Sequence, residues 1–106
     1  MERINSGEIK VSKVKASHIL VEKHSKAEEI SNQLKSANPK QLPNLFAKLA
    51  REQSTCPSKK RGGNLGQFGR GQMVKEFEKA VFALEKGKIS GVVKTKFGYH
   101  IILRTG

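Results

Sequence analysis

The 106-residue sequence predicts one α+β domain, and three observations predict it. The run "VKASHILV" (14–21) alternates like a strand, three later stretches place apolar residues at helical spacing, and two β-rich runs close the chain around "TKFGY". A chain of this length can bury a modest core without metal or disulfide staples. The expected order is strand, helix, helix, short strand, helix, strand, strand, with no internal repeat.

Residues 1–10 are polar and are expected to form a short flexible arm, leaving 11–106 as the domain. In the first strand Val14, Ala16, His18 and Leu20 alternate with Lys15, Ser17, Ile19 and Val21, so the strand becomes buried on both faces towards its end. In "SKAEEISNQLKSA", Ala27, Ile30, Leu34 and Ala37 share a helix face, with Ser25 as the expected cap and acidic residues early; Pro39 ends it. A second helix opens near Pro43 or Asn44, carries Leu45, Phe46, Leu49 and Ala50 as its apolar stripe, and stops before Pro57. The glycine-rich loop contains a short extended segment, "NLGQF". Met73, Val74, Phe77, Ala80, Val81 and Leu84 then give the clearest helical pattern, with Gly87 as a left-handed stop. In the final hairpin Gly98 supplies a positive φ, His100 shares a face with Ile102, and Ile101 shares the other with Leu103.

The bulk composition narrows the classes. Lys and Arg number 21 against 9 Asp and Glu, a net charge of +12, which favours weak contacts with anionic partners. The cations are dispersed, and neither zinc-finger spacing nor an aromatic-basic platform points to specific nucleic-acid recognition. The single cysteine cannot form an internal disulfide. With no apolar run of about 20 residues and no signal-peptide core, the expectation is a monomer in the cytoplasm or another intracellular compartment. "RGGNLGQFGRG" lacks the ending of a phosphate loop, and its glycines fit tight turns better.

Three motifs in sequence, "ASHILV", "CPSKKRGGNLGQFGRGQMVKEFEKAVFAL" and "VVKTKFGYHIILR", resemble the parvulin family of peptidyl-prolyl cis-trans isomerases over about residues 14–104. That resemblance implies a four-stranded antiparallel sheet surrounded by about three to four helices, and rotation about X-Pro bonds in peptides and folding proteins with no cofactor and no metal. It places His18 and His100 as paired histidines beneath the site and Cys56 beside the substrate. Leu65, Met73 and Phe77 would seat the proline ring, Gln72 and Thr95 would lie at the edge, and Phe68 would pack nearby. Phe97 stands where some members have serine.

The same residue types make physical sense for that chemistry. Amide resonance sets a barrier of about 18–20 kcal/mol, so rotation needs only a site that binds the twisted amide better than the planar one. A dry apolar clasp does this, because the planar form is the more dipolar. His18 and His100 could equally be hydrogen-bonded core groups, and His24 reads as a solvated loop residue. A thiol hydrolase built on Cys56 is disfavoured by Pro57, which removes the next backbone N–H. The other reading is an inactive parvulin-fold binding or chaperone module for acidic clients. After the first strand, "EKHSK" carries only Lys23 and Lys26 and no arginine fork, so phosphate selectivity is not expected; Lys59, Lys60 and Arg61 are the one group that could supply it.

Overall fold

The computed structural model describes residues 13–106; the expected arm over 1–10 lies outside the described residues. In chain order the elements are β1 (Lys13–Val21), α1 (His24–Lys35), α2 (Leu42–Gln53), a 3-10 turn (Pro57–Arg61), β2 (Asn64–Gly69), α3 (Lys75–Phe82), β3 (Val93–Thr95) and β4 (Gly98–Arg104). The four strands form one antiparallel sheet in the order β2-β1-β4-β3. The fold is the α+β arrangement expected.

Strand alternation divides the core between the two sheet faces. Ile19, Val21, Ile101 and Leu103 meet Ala27, Ile30 and Leu34 of α1 and Phe46, Leu49 and Ala50 of α2. On the opposite face Val14, Ala16, Phe68 and Ile102 meet Phe77 and Val81 of α3. In β1 Lys15 stays exposed, while all of Ser17–Val21 except half-buried Leu20 is buried, because helices cover both faces there.

Local details correct three expectations about helix ends. Only Glu22 and Lys23 separate β1 from α1, so the chain turns directly into the helix. Lys23 is therefore the cap residue, Ser25 already lies inside, and no acidic residue falls in the first turn. Glu28 and Glu29 instead pair across the exposed face with His24 (3.6 Å) and Lys26 (3.3 Å). His24 begins α1 and sets its ring edge-on against Tyr99. Ala37 lies beyond the end of that helix.

α3 is shorter than its periodicity suggests. Val74 caps it in an extended conformation, so Met73 precedes the helix and Leu84 follows it. The cause is a set of polar ties in the preceding loop: Gly69 N–H donates to Gln72 Oε1 (2.6 Å) and Gly71 N–H to Glu78 Oε1 (2.6 Å). These bonds hold 69–72 as a turn rather than letting it wind into helix. Gly87 has the expected positive φ of 85° but sits past a helix that has already ended at Phe82.

The β3–β4 hairpin turns between Thr95 and Gly98. Gly98 has φ 134°, and a Cβ there would stand 2.6 Å from the Val21 carbonyl oxygen. Both facts select glycine, and they press this hairpin against the end of β1.

Candidate active site

The sheet register assembles the polar centre. His18 lies opposite Ile102 and Leu20 opposite His100, so the two histidines are diagonal neighbours on one face. Their Nδ1 atoms are 3.0 Å apart and their rings are stacked. His100 Nε2 is 2.7 Å from Thr95 Oγ1, which also accepts the Phe97 backbone N–H at 3.1 Å. Phe77 of α3 stands edge-on to both imidazoles, with centroids 5.5 Å and 5.3 Å away.

One proton arrangement satisfies this chain best. The Thr95 hydroxyl, which accepts from Phe97 N–H, finds an acceptor for its own hydrogen at His100 Nε2; His100 Nδ1–H then donates to His18 Nδ1, and the remaining proton sits on His18 Nε2. Among the described residues that nitrogen is the one buried ring atom left without a partner. Burial, reinforced at His18 by the neighbouring His100, lowers both histidine pKa values to about 4. At neutral pH the pair is uncharged.

A β-bulge brings the next residue in. Ala16 pairs with Gly66 and Ser17 with Asn64, leaving Leu65 without a partner on β1. The extra residue re-aims the Leu65 side chain towards the histidine face. The chain can approach this closely because Gly63 packs against the His18 carbonyl, where any Cβ would collide, while its own oxygen accepts the His18 N–H at 3.0 Å.

The end of α2 delivers the cysteine. Ser54 Oγ accepts from Leu20 N–H (3.1 Å) and Cys56 N–H (3.3 Å), and Thr55 N–H donates to the Leu20 carbonyl (2.8 Å), tying this corner to β1. The Ser58 hydroxyl donates to Cys56 Sγ at 3.2 Å. The half-buried thiol is thus held at the start of the 3-10 turn.

Together these parts enclose an apolar cavity of about 490 Å³. Of the residues expected at the site, His18, Cys56, Leu65, Gln72, Met73, Phe77 and His100 line it. Phe68 and Thr95 do not: Phe68 is buried behind Phe77 at 6.1 Å between centroids, and Thr95 is buried beneath His100. Thr95 therefore lies beneath His100 rather than at the cavity edge, a correction of the expected placement. Met73 reaches the cavity from the loop, not from the same helix as Phe77.

The wall also includes Leu20, Thr55, Pro57, Val74 and Phe97. Leu20 could have been inferred from its shared strand face with His18, and Pro57 from its adjacency to Cys56. Ser54 and Ser58, which fix the cysteine corner, carry no sequence signal that separates them from surface serines. Lys59, Lys60 and Arg61 do not line this cavity.

The chain matches the family profile described as rotamase, PPIC-type peptidyl-prolyl isomerase domain, over residues 9–106, and it belongs to that family. Among its relatives, the foldase protein PrsA of a Geobacillus species is 50% identical over 91 residues, covering 85% of this chain and 31% of that one. The peptidyl-prolyl cis-trans isomerase Pin1 of Digitalis lanata is 44% identical, covering 89% of this chain and 97% of that one. The solution structure of the Nitrosopumilus maritimus parvulin superposes with a TM-score of 0.75 at 48% identity, covering 91% of this chain and 98% of that one. The chain spans only about a third of the length of its Campylobacter jejuni and Geobacillus relatives, 36% and 31%. Among the described residues no helix is long and apolar enough to cross a membrane.

Proposed function

We propose that this protein is a peptidyl-prolyl cis-trans isomerase acting without a covalent step. The observation that carries the reading is the cavity itself: an apolar clasp of Leu65, Met73 and Phe77 facing Cys56 and an uncharged histidine pair. A pyrrolidine ring seated against that clasp leaves the peptide carbonyl in low-dielectric surroundings. The planar amide carries partial negative charge on oxygen, and those surroundings solvate it poorly. The twisted amide is less dipolar and loses less, so the barrier between isomers falls by about 1.4 kcal/mol for each tenfold of rate.

Each lining group has a part in this reading. Cys56 offers a polarisable sulfur near the carbonyl, steadied by the Ser58 hydroxyl. His18 and His100 form a rigid neutral floor rather than an acid–base couple, since both protonate only near pH 4. His18 Nε2 is buried without a partner among the described residues, so it lies beneath the cavity surface rather than at it. Gln72 and Phe97 stand at the wall, and Phe68 and Thr95 support it from behind.

The substrates are proline-containing peptides and protein clients, without selectivity for a phosphorylated residue before proline. The link from β1 to α1 is two residues long, too short to carry a phosphate clamp. The protein acts as an intracellular monomer with weak attraction for anionic clients. NMR exchange spectroscopy on matched Ala-Pro, Glu-Pro, Ser-Pro and phosphoserine-Pro peptides tests both statements. Acceleration of all four within about tenfold of one another is expected. No acceleration anywhere would overturn the isomerase reading, and a hundredfold phosphopeptide advantage would overturn the selectivity.

A further inference from the structure

A second cavity, about 360 Å³, opens on the opposite face of the sheet. Its wall carries Lys15 and Arg61, the polar side chains Ser17, Asn64 and Thr105, and no acidic residue; Phe46 and Leu103 make an apolar floor. Ser17 is buried in this wall, at 9% exposure. Lys15 and Arg61 make no ion pair among the described residues, and Arg51 lies beside the same wall at Gly62. Pro43, in the first turn of α2, also borders the cavity. Two cations and three hydroxyl- or amide-bearing side chains thus surround one hollow that no acidic side chain lines.

Two elements connect this hollow to the first cavity. The 3-10 turn places Pro57 in the first and Arg61 in the second, and β2 places Leu65 in the first and Asn64 and Gly66 in the second. β2 is also an edge strand, so an extended chain can cross it from one face to the other. We propose that the second cavity binds the carboxylate of an acidic client residue in the same extended chain as the proline held in the first, with the spacing set by the path across the β2 edge. The inference rests on the isomerase reading for the position of the proline, and on this wall alone for the carboxylate.

The test uses peptides with one proline and one Glu or Gln at each spacing from two to seven, and a proline tetrapeptide too short to span. The protein and its Lys15→Gln/Arg61→Gln variant are compared with a Lys35→Gln/Lys79→Gln variant that loses the same charge elsewhere. About a fivefold lower KM for Glu than Gln at one or two adjacent spacings is expected, with shifts in the Ser17 and Asn64 amide resonances. That advantage should vanish in the first variant, persist in the second and shrink with salt, while tetrapeptide turnover stays equal in all three. Equal Glu and Gln peptides at every spacing, an equal loss in both variants, or amide shifts with inorganic phosphate but not with Glu peptides would overturn the proposal. Failure of the tetrapeptide alone would strike the isomerase reading instead, because the amide shifts report the second cavity independently.

Discussion

The two faces of the sheet are covered unequally. α1 and α2, twelve residues each, close one face around ten buried residues from Ile19 to Leu103. The other face has only the eight residues of α3, which reach Val14, Ala16, Phe68 and Ile102 but leave His18 and His100 at the base of an opening. On the first face apolar side chains fill space, apart from the polar hollow beside Phe46 and Leu103; on the second they line the apolar cavity. The site is what remains when a single short helix covers half of a sheet face. Residues on the closed face should therefore govern stability, and those on the open face turnover.

The largest expected effect is on the closed face. Phe46 is fully buried between α2 and the sheet, and Phe46→Ala should cost about 3–5 kcal/mol, a large share of the stability of a domain this size, read by urea unfolding. Met73 and Leu65 are only half-buried, so Met73→Ala and Leu65→Ala should change stability by about 1 kcal/mol or less and lower kcat/KM by about ten- to a hundredfold. Phe77 belongs to both regions, being buried against Phe68 and lining the cavity, and Phe77→Ala should lose on both scales. A Phe46→Ala protein that stays folded with unchanged stability would break the contrast.

The histidine pair sharpens the contrast through pH. Both pKa values fall from 6.5 to about 4 on folding, so the unfolded chain binds more protons between those limits. Their contribution to stability is full above pH 6.5, declines as pH drops through that window, and is lost below about 4. Urea midpoints between pH 4 and 7.5 should fall on acidification, while kcat/KM above pH 5 stays flat, because neither ring changes charge there. A rate that tracks a titration near 6.5 would show an acid–base role.

A smaller effect is expected at Cys56. Cys56→Asp keeps an electron-rich acceptor beside the carbonyl and should retain several times the activity of Cys56→Ala, measured by exchange spectroscopy. Equal loss in both, or a covalent adduct seen by mass spectrometry, would exclude the non-covalent part.

Much of this division was legible in the sequence. Alternation in "VKASHILV" put His18 on the face of Ala16, and the final strand put His100 on the face of Ile102, while their pairing across the two strands rested on the resemblance to the parvulin family. Helix limits were less legible. Hydropathy counted Met73 and Leu84 into α3 because an apolar loop residue and an apolar helical one look alike, while the bonds from Gly69 and Gly71 that unwind the start are polar and irregular. The placement of Thr95 failed for a related reason: its hydroxyl satisfies His100 from beneath, a relation between strands that spacing does not encode. The second cavity draws Lys15, Arg61 and Thr105 from separate segments, and none of them stands out from the other dispersed cations and hydroxyls.

The central claim is that proline turns over on the open face, and that the packed core of the other face gives that step stability but no reacting group. Exchange spectroscopy on an Ala-Pro tetrapeptide, comparing the protein with Leu65→Ala/Met73→Ala, tests it most directly. The account predicts clear line broadening and exchange cross-peaks with the protein, a loss of about a hundredfold in kcat/KM with the double variant, and unfolding midpoints that remain close. Equal exchange rates from the two proteins, or no acceleration by either, would contradict it.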